Sequence, residues 1–379
     1  MEIITIVGAR PQFIKAAALS RTIRNYFAGS IHETIVHTGQ HYDANMSEVF
    51  FEDLQIPRPQ HHLGVGSGGH GMQTGRMTEA IEKVLVLKKP DAVVVYGDTN
   101  TTLAGALAAS KLHIPVVHIE AGLRSFNKMM PEEINRVLTD HVSTLLFSPT
   151  ETGISNLLKE GFSQKKHSVY DATFPGIFNS GDIMLDNTRF FARLAEEKSN
   201  VIDEINPTQE PYVLATVHRP VNTDNPENLL NIVKAFDKIA ATGIKVIMPV
   251  HPRTRAKLDD PIFQKVTERL EASHRITLSP PVSFLDMIML EKHARMIITD
   301  SGGVQKEAYF LQKPGIIVRE ETEWKEIVSS GNARLCGADT ATIVRAFEDY
   351  VKAAPKVYPE YFGDGNAAEF ICETLLHAL

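Results

Sequence analysis

Short apolar runs alternate along this chain with longer segments whose apolar residues recur every three or four positions. The first run, MEIITIV, passes through Gly8-Ala9-Arg10-Pro11 into the amphipathic FIKAAALSRTIRNYF, which predicts a strand, a tight turn and a helix. ETIVHTGQHYD predicts a second strand, with Asp43 a candidate cap for the next segment. Next come a helix over GRMTEAIEKVLVLKK, an apolar strand in AVVVYGDTNTT and an alanine-rich helix in LAGALAASKL. IPVVHI (Ile114 to Ile119) is another strand, Pro131 starts a helix at the position proline tolerates best, and STLLFSPT repeats the strand-end pattern. TETGISNLLKEG predicts a helix closed by Gly161. The least regular stretch is KKHSVYDATFPGIFNSGDIMLD, and from Asn206 the winding restarts. PYVLATVHRP, IKVIMPVHPRTR, RITLSPPVSF, ARMIITDSGG and PGIIVRE carry strands, and DNPENLLNIVKAFDKIA carries a helix with Asn225 at its cap and Pro226 first. VQKEAYFLQK and the tail after Gly363-Asp364-Gly365 are further helices. The alternation predicts an α/β protein of two doubly wound, Rossmann-like domains facing a cleft. The expected limits are 1–170, an irregular boundary at 171–186, a second domain at 187–355, and a helix within 356–379 crossing back to the first domain.

A length of 379 residues suits two domains, or three. The formal net charge of −7 argues against broad nucleic-acid binding but not against an anionic small ligand held by a few placed arginines. Cys336 and Cys372 have no paired spacing, so neither a disulfide framework nor a zinc site is indicated. MEIITIVGARPQ lacks the order of a signal peptide, and no apolar run approaches the roughly 20 residues of a membrane helix. The expectation is a soluble cytoplasmic protein without membrane contact.

Candidate chemistry concentrates in HIEAGLRSFNKMMPEEINR, His118 to Arg136. Ligands of an open parallel sheet bind outside the carboxyl ends of its strands, which would turn His118 and Glu120 toward the ligand. Gly122 lets the backbone turn, Arg124 adds a cation, and Glu132 and Arg136 share one helix face. Such a set suits acid/base work beside an anion, although a solvated helix start with i,i+4 pairs would read the same. Asp98, at a strand end, is either the N-cap of the next helix or a third carboxylate. Arg10 and Lys15 lie where helix-start N–H groups favour an anion, and phosphate contact is the expectation. HHLGVGSGGHG matches G-x-G-x-x-G at Gly64, Gly66 and Gly69, but with Pro57 and Pro59 upstream and no strand before it, a mobile loop is expected. His61, His62 and His70 lack a carboxylate at ligand spacing, so solvated histidines are expected and no metal. No NAD fingerprint is present, and no cofactor is expected. In the second half, His218, Arg219, His251 and Arg253 stand at strand ends. The most specific local signal is Asp300-Ser301-Gly302-Gly303 before a helix, whose free N–H groups could hold a diphosphate while Glu307 accepts ribose hydroxyls. A plain tight turn is the alternative.

Ten blocks in order, GARPQFIK, TGQHYD, YGDTNTT, HIEAGLRS, PEEINR, SPTET, TVHRPVNTDNPENL, PVHPRTR, TDSGGVQKEA and FGDGNA, resemble the non-hydrolysing UDP-N-acetylglucosamine 2-epimerases over nearly the whole chain. That resemblance implies the two-domain fold also found in GT-B glycosyltransferases, a UDP-sugar substrate, inversion at C2 without NAD or metal, and a homodimer. It makes Asp98, Glu120 and Glu132 the catalytic carboxylates, with His218 beside them. Arg10, Lys15, Arg136 and His218 would hold or neutralise the diphosphate. Ser301, Gly302 and Gly303 would bind phosphate, Glu307 the ribose, and His41 and His251 would join the substrate-binding set. Two departures stand out. Thr322-Glu323-Trp324-Lys325-Glu326 replaces the family's arginine-bearing segment, and the glycine loop has no match for the arginine that binds a regulatory second nucleotide. Trp324, with GARPQFIKA, HYDANMSEVFF and SGGVQKEA, resembles the branch acting on UDP-2,3-diacetamido-2,3-dideoxy-glucuronate for surface polysaccharide. The rival from another class is a GT-B glycosyltransferase, which would not need Asp98, Glu120 and Glu132 together.

Overall fold

The computed structural model describes residues 1–40, 51, 55–167 and 169–379, and the chain divides into two compact units. Unit 1 comprises Met1–Asn187 and Glu360–Leu379, and unit 2 is Thr188–Pro359.

Unit 1 is built on a parallel sheet of β1 (Glu2–Val7), β2 (His32–His37), β3 (His61–His62), β4 (Ala92–Tyr96), β5 (Val116–Ile119), β6 (Leu145–Ser148) and β7 (Gly176–Asn179). Their order across the sheet is β3-β2-β1-β4-β5-β6-β7. In β4 every side chain of Ala-Val-Val-Val-Tyr is buried, as helices on both faces of a parallel sheet require. The alanine-rich helix Asn100–Lys111 lies close on one face, because a side chain at Gly105 would press on Val95 and Ile6 at 3.0 and 3.4 Å. Val93, Val95, Ile4, Ile6, Met77, Ile81 and Leu85 fill the layer between. On the other face the C-terminal helix Ala367–Ala378 packs against the helix Arg10–Thr22 and buries Ile371, Cys372 and Leu375 completely. Asp186 holds its first turn, accepting from the N–H groups of Ala367 (3.2 Å) and Ala368 (2.8 Å).

Unit 2 carries β8 (Tyr212–Thr216), β9 (Lys245–Pro249), β10 (Ile276–Ser279), β11 (Met296–Thr299), β12 (Gly315–Ile317) and β13 (Ala333–Leu335), all parallel, in the order β10-β9-β8-β11-β12-β13. Asn225 caps the helix Pro226–Ala241, its Oδ1 accepting from Glu227 N and Asn228 N at 3.0 and 3.2 Å, a contribution of about 1 kcal/mol. Each sheet reverses its strand order once, at β1/β4 and at β8/β11, and such reversals open the crevices where α/β proteins bind ligands.

Three expectations change. The stretch 171–186 is not irregular throughout, since β7 pairs with β6 there and the helix Ile183–Lys198 begins within it and runs through the division between the units. A strand does precede the glycine loop: β3 pairs with β2, and the helix His70–Lys88 follows. The loop between them is tied down, with Val65 N on Thr38 O (3.0 Å), Gly66 N on Gly39 O (3.0 Å) and the Gln73 amide on Gly66 O (2.9 Å). It follows the edge strand β3, and the helix start after it reaches toward the end of β4, where Asn100 Nδ2 meets His70 Nδ1 (3.1 Å) and Gln73 Oε1 (2.9 Å).

Candidate active site

In unit 1 the register places Tyr96 beside Ile119, so Gly97-Asp98 leaves β4 alongside Glu120 leaving β5. Glu120 has a φ of +72°, a region that costs a side-chain-bearing residue of order 1–3 kcal/mol and is kept only where its surroundings enforce it. Its carboxylate pairs with Lys15, and both lie against the Cα of Gly97. Asp98 pairs with Arg136, whose Nε and Nη2 donate to Oδ2 at 3.0 and 2.5 Å. The third arm of Arg136, Nη1, donates to Glu133 at 2.9 Å. Burial works against the guanidinium charge, but Asp98 and Glu133 outweigh it and raise the pKa of Arg136. Burial likewise opposes ionisation of Glu133, yet its pKa is lowered by the N–H groups of Ser125 (2.8 Å) and Phe126 (2.9 Å), the Ser125 hydroxyl (3.0 Å) and Arg136.

Thr99, not Asp98, caps the helix Asn100–Lys111, which leaves the Asp98 carboxylate to Arg136. The Asn135 amide holds the Asp98 carbonyl at 2.9 Å and so fixes that turn from the same helix as Arg136. At the first strand-to-helix turn, Gln12 Oε1 takes the N–H groups of Gly8 (2.9 Å) and Ala9 (3.2 Å), and its Nε2 donates to Tyr96 O (3.0 Å). Those two N–H groups are therefore occupied within the turn. A Cβ on Gly8 would overlap the hydroxyls of Thr38 and Thr101, so glycine is required for packing alone.

In unit 2, Asp300 joins the ends of β8 and β11. Fully buried, it accepts from His218 N (3.0 and 3.1 Å to its two oxygens), Arg219 N (3.0 Å) and Asn222 Nδ2 (3.0 Å). His218 stacks on His251, ring centroids 5.1 Å apart and 28° between planes. Burial lowers the pKa of His218 against the pull of Asp300, with Arg219 and His251 adding to the decrease. His251 is lowered too, by burial and Arg253. Ser301 caps the helix Gly302–Phe310, and its own N–H goes to Thr299 Oγ1 at 2.9 Å. The N–H groups of Gly302 and Gly303 find no acceptor among the described residues, leaving two donors aligned at a helix start. A Cβ on Gly302 would lie 2.5 Å from Glu323 Oε1, so a side chain there would displace the end of that carboxylate. Glu307 faces the buried Glu291, and burial raises the pKa of both.

The structure thus brings Asp98, Glu120, Lys15 and Arg136 together at the β4 and β5 ends, with Arg10 at the turn after β1. It brings His218, His251, Ser301, Gly302 and Gly303 to the β8, β9 and β11 ends, with Glu307 one turn further on. Glu132 stands exposed on the first turn of the helix Pro131–Val142, and its neighbour Glu133 makes the pair with Arg136 that was expected of it. His118 and Arg124 do not face solvent at all: both are buried against Asp140, His118 by a hydrogen bond and Arg124 by an ion pair. His41 and Asp43 lie outside the described residues. Among the described residues no group of three His, Cys, Asp or Glu side chains is placed to hold a metal, and no helix is long and apolar enough to cross a membrane.

Two doubly wound parallel sheets of GT-B-like type, each gathering charged groups or open donors at its reversal point, define a class of two-domain α/β enzymes. Residues 27–376 match the model of the family described as UDP-N-acetylglucosamine 2-epimerase, and the chain belongs to that family of isomerases. A Methanococcus maripaludis UDP-N-acetylglucosamine 2-epimerase homolog is 49% identical over 376 residues, 99% of each chain. The Pseudomonas aeruginosa UDP-2,3-diacetamido-2,3-dideoxy-D-glucuronate 2-epimerase is 47% identical over 375 residues, again 99% of each. The crystal structure of Methanocaldococcus jannaschii UDP-GlcNAc 2-epimerase in complex with UDP-GlcNAc and UDP is 43% identical and superposes with a TM-score of 0.84, covering 100% of both chains.

Proposed function

We propose that the protein inverts C2 of a UDP-2-acetamido sugar by eliminating UDP and adding it back. A carboxylate removes the C2 proton as the C1–O bond to UDP breaks, leaving a 2-acetamidoglucal. A proton delivered to the other face of C2 and return of UDP to C1 give the epimer, so the overall step is redox-neutral. The observation that carries this reading is the pair of strand-end carboxylates, Asp98 and Glu120, each held by its own cation, Arg136 and Lys15. A diphosphate that draws those cations toward itself frees the carboxylates for proton transfer. The exposed Glu132 is the third acid/base candidate. The open donors of Gly302 and Gly303, with Ser301, His218 and His251, suit the diphosphate, and Glu307 suits the ribose.

For the sugar, we favour UDP-2,3-diacetamido-2,3-dideoxy-glucuronate, converted to its manno isomer for surface polysaccharide. The support is the Pseudomonas relative of that name and the buried Trp324, with the Lys306 ammonium 4.3 Å from its ring centre beside the Gly302 helix start. The relatives named for UDP-GlcNAc favour the simpler substrate as the second reading. Incubation of each UDP-sugar in deuterated water, followed by proton NMR, should show deuterium entering C2 and the manno epimer growing in. Absence of both, with either sugar, overturns epimerisation. A higher kcat/KM for UDP-GlcNAc, without lag or activator, overturns the glucuronate assignment alone.

A further inference from the structure

We infer that His118 and Asp140 are positioning residues that hold Glu120 in its working orientation. The inference rests on the proposed acid/base role of Glu120. His118 lies on β5 two residues before Glu120 and is fully buried. Its Nε2 meets the carbonyl of Gly97 at 2.8 Å, and its Nδ1 meets Asp140 Oδ1 at 2.6 Å. The carbonyl can only accept. Nε2 of His118 therefore donates to Gly97, and Nδ1 shares one hydrogen bond with Asp140, so the ring is fixed at both nitrogens. Asp140 Oδ2 also accepts from Gly122 N (3.1 Å) and from the Arg124 guanidinium (2.7 Å). Arg124 carries a second carboxylate, Glu160, through Nε and Nη2 at 2.7 and 2.6 Å.

This assembly grips the backbone next to Glu120 in two places, on the neighbouring strand end and two residues further along its own chain. At the first, Gly97 is held by His118 through its carbonyl and by Ile119 O through its N–H (3.0 Å), and its Cα borders the Lys15–Glu120 pair. At the second, Gly122 is held by Asp140 through its N–H and by the Asn156 amide through its carbonyl (3.0 Å). Gly97 (φ +64°), Glu120 (φ +72°) and Gly122 (φ +78°) all occupy the left-handed region. A side-chain-bearing residue keeps that backbone only where its neighbours over-determine it, and here the buried His118–Asp140 contact fixes Gly97 beside it and Gly122 after it. Asp140 arrives from the last turn of the helix that also supplies Arg136 and Asn135, so the Asp98 and Glu120 ends share one support.

The test compares His118→Asn, Asp140→Asn and Glu120→Gln in the full chain, using kcat, KM, C2 deuterium exchange and UDP binding. Positioning predicts that His118→Asn and Asp140→Asn lose about a hundredfold in kcat and in exchange while KM and UDP affinity stay within about threefold. A kcat within about threefold of wild type in either variant overturns the inference, provided Glu120→Gln is inactive. Exchange persisting in Glu120→Gln overturns the acid/base reading instead. Should the variants not fold, nitrogen-15 NMR of histidine-labelled wild type decides: the inference requires that the His118 ring carry a hydrogen-bonded proton on Nε2, and a ring without that proton overturns it.

Discussion

Asp300→Asn is the sharpest test of how unit 2 is assembled, since it exchanges one oxygen for an amino group and changes little in volume. The buried carboxylate receives three donors, His218 N, Arg219 N and Asn222 Nδ2, all at 3.0–3.1 Å. Hydrogen bonds to a charged acceptor contribute about 1.5–3 kcal/mol and those to a neutral one about 0.5–1.5, so an amide forfeits about 1 kcal/mol at each donor. With its oxygen in the Oδ2 place the amide keeps all three partners, but its NH₂ then faces the His218 N–H, donor against donor. The total is about 3–4 kcal/mol. For a domain of this size that corresponds to a fall of about 6–15 °C in the Tm of unit 2. Because Asp300 ties the β8 end to the β11 end, UDP affinity measured by calorimetry should fall with it. A Tm within about 2 °C of wild type and an unchanged Kd would show that the loop after β8 keeps its place without the carboxylate.

Two further outcomes concern unit 1. Gly122→Ala combines a φ of +78° with a Cβ overlapping the Gly153 carbonyl and should cost about 3 kcal/mol, whereas Gly75→Ala, in an exposed helical position with open space around it, should gain about 0.5–1 kcal/mol; paired denaturant titrations check both, and equal effects would refute the steric account. Burial, opposed by the N–H groups of Ala368 and Ala367, pushes the pKa of Asp186 up from 3.8 to about 6, so the folded state holds that proton more tightly than the unfolded chain. Its contribution is present below about pH 4 and is lost as pH rises through about 6; relative to Asp186→Asn, the wild type should lose about 3 kcal/mol across that window, and parallel stability profiles would exclude it.

Where the chain carries a local signal, the elements could be read from it. Apolar runs such as AVVVY and MIIT marked strands, and Pro131, Asn225 and Gly161 marked helix ends, because each acts through its own backbone. The two-residue β3 and the three-residue β13 are too short to show a period, β7 opens on Gly176 and ends on Asn179 with only two apolar residues between, and all three exist through their neighbours' hydrogen bonds. That charged residues collect at strand ends was also legible, but which of them pair was not. Helical spacing allows Glu132 or Glu133 to meet Arg136, and the decision lies with the N–H groups of Ser125 and Phe126, offered by a loop the spacing does not describe. His118 points inward because Asp140, 22 residues later, offers it a carboxylate. Gln12 carried no visible chemistry, yet its amide occupies the donors of the first turn. Long-range partners decide each of these cases, and nothing adjacent in the chain announces them.

The helix Ala367–Ala378 belongs to unit 1, yet the whole of unit 2 separates it from the rest of that unit. During synthesis, at about 5–20 residues per second, the stretch from Thr188 to Pro359 takes roughly ten to thirty seconds to emerge. For that interval the face of the helix Arg10–Thr22 that will receive Ile371, Cys372 and Leu375 stays uncovered, and Asp186 has no helix start to hold. The ribosome therefore delivers the units out of step: the second has all its residues before the first does, and the domain begun earliest is the one completed last.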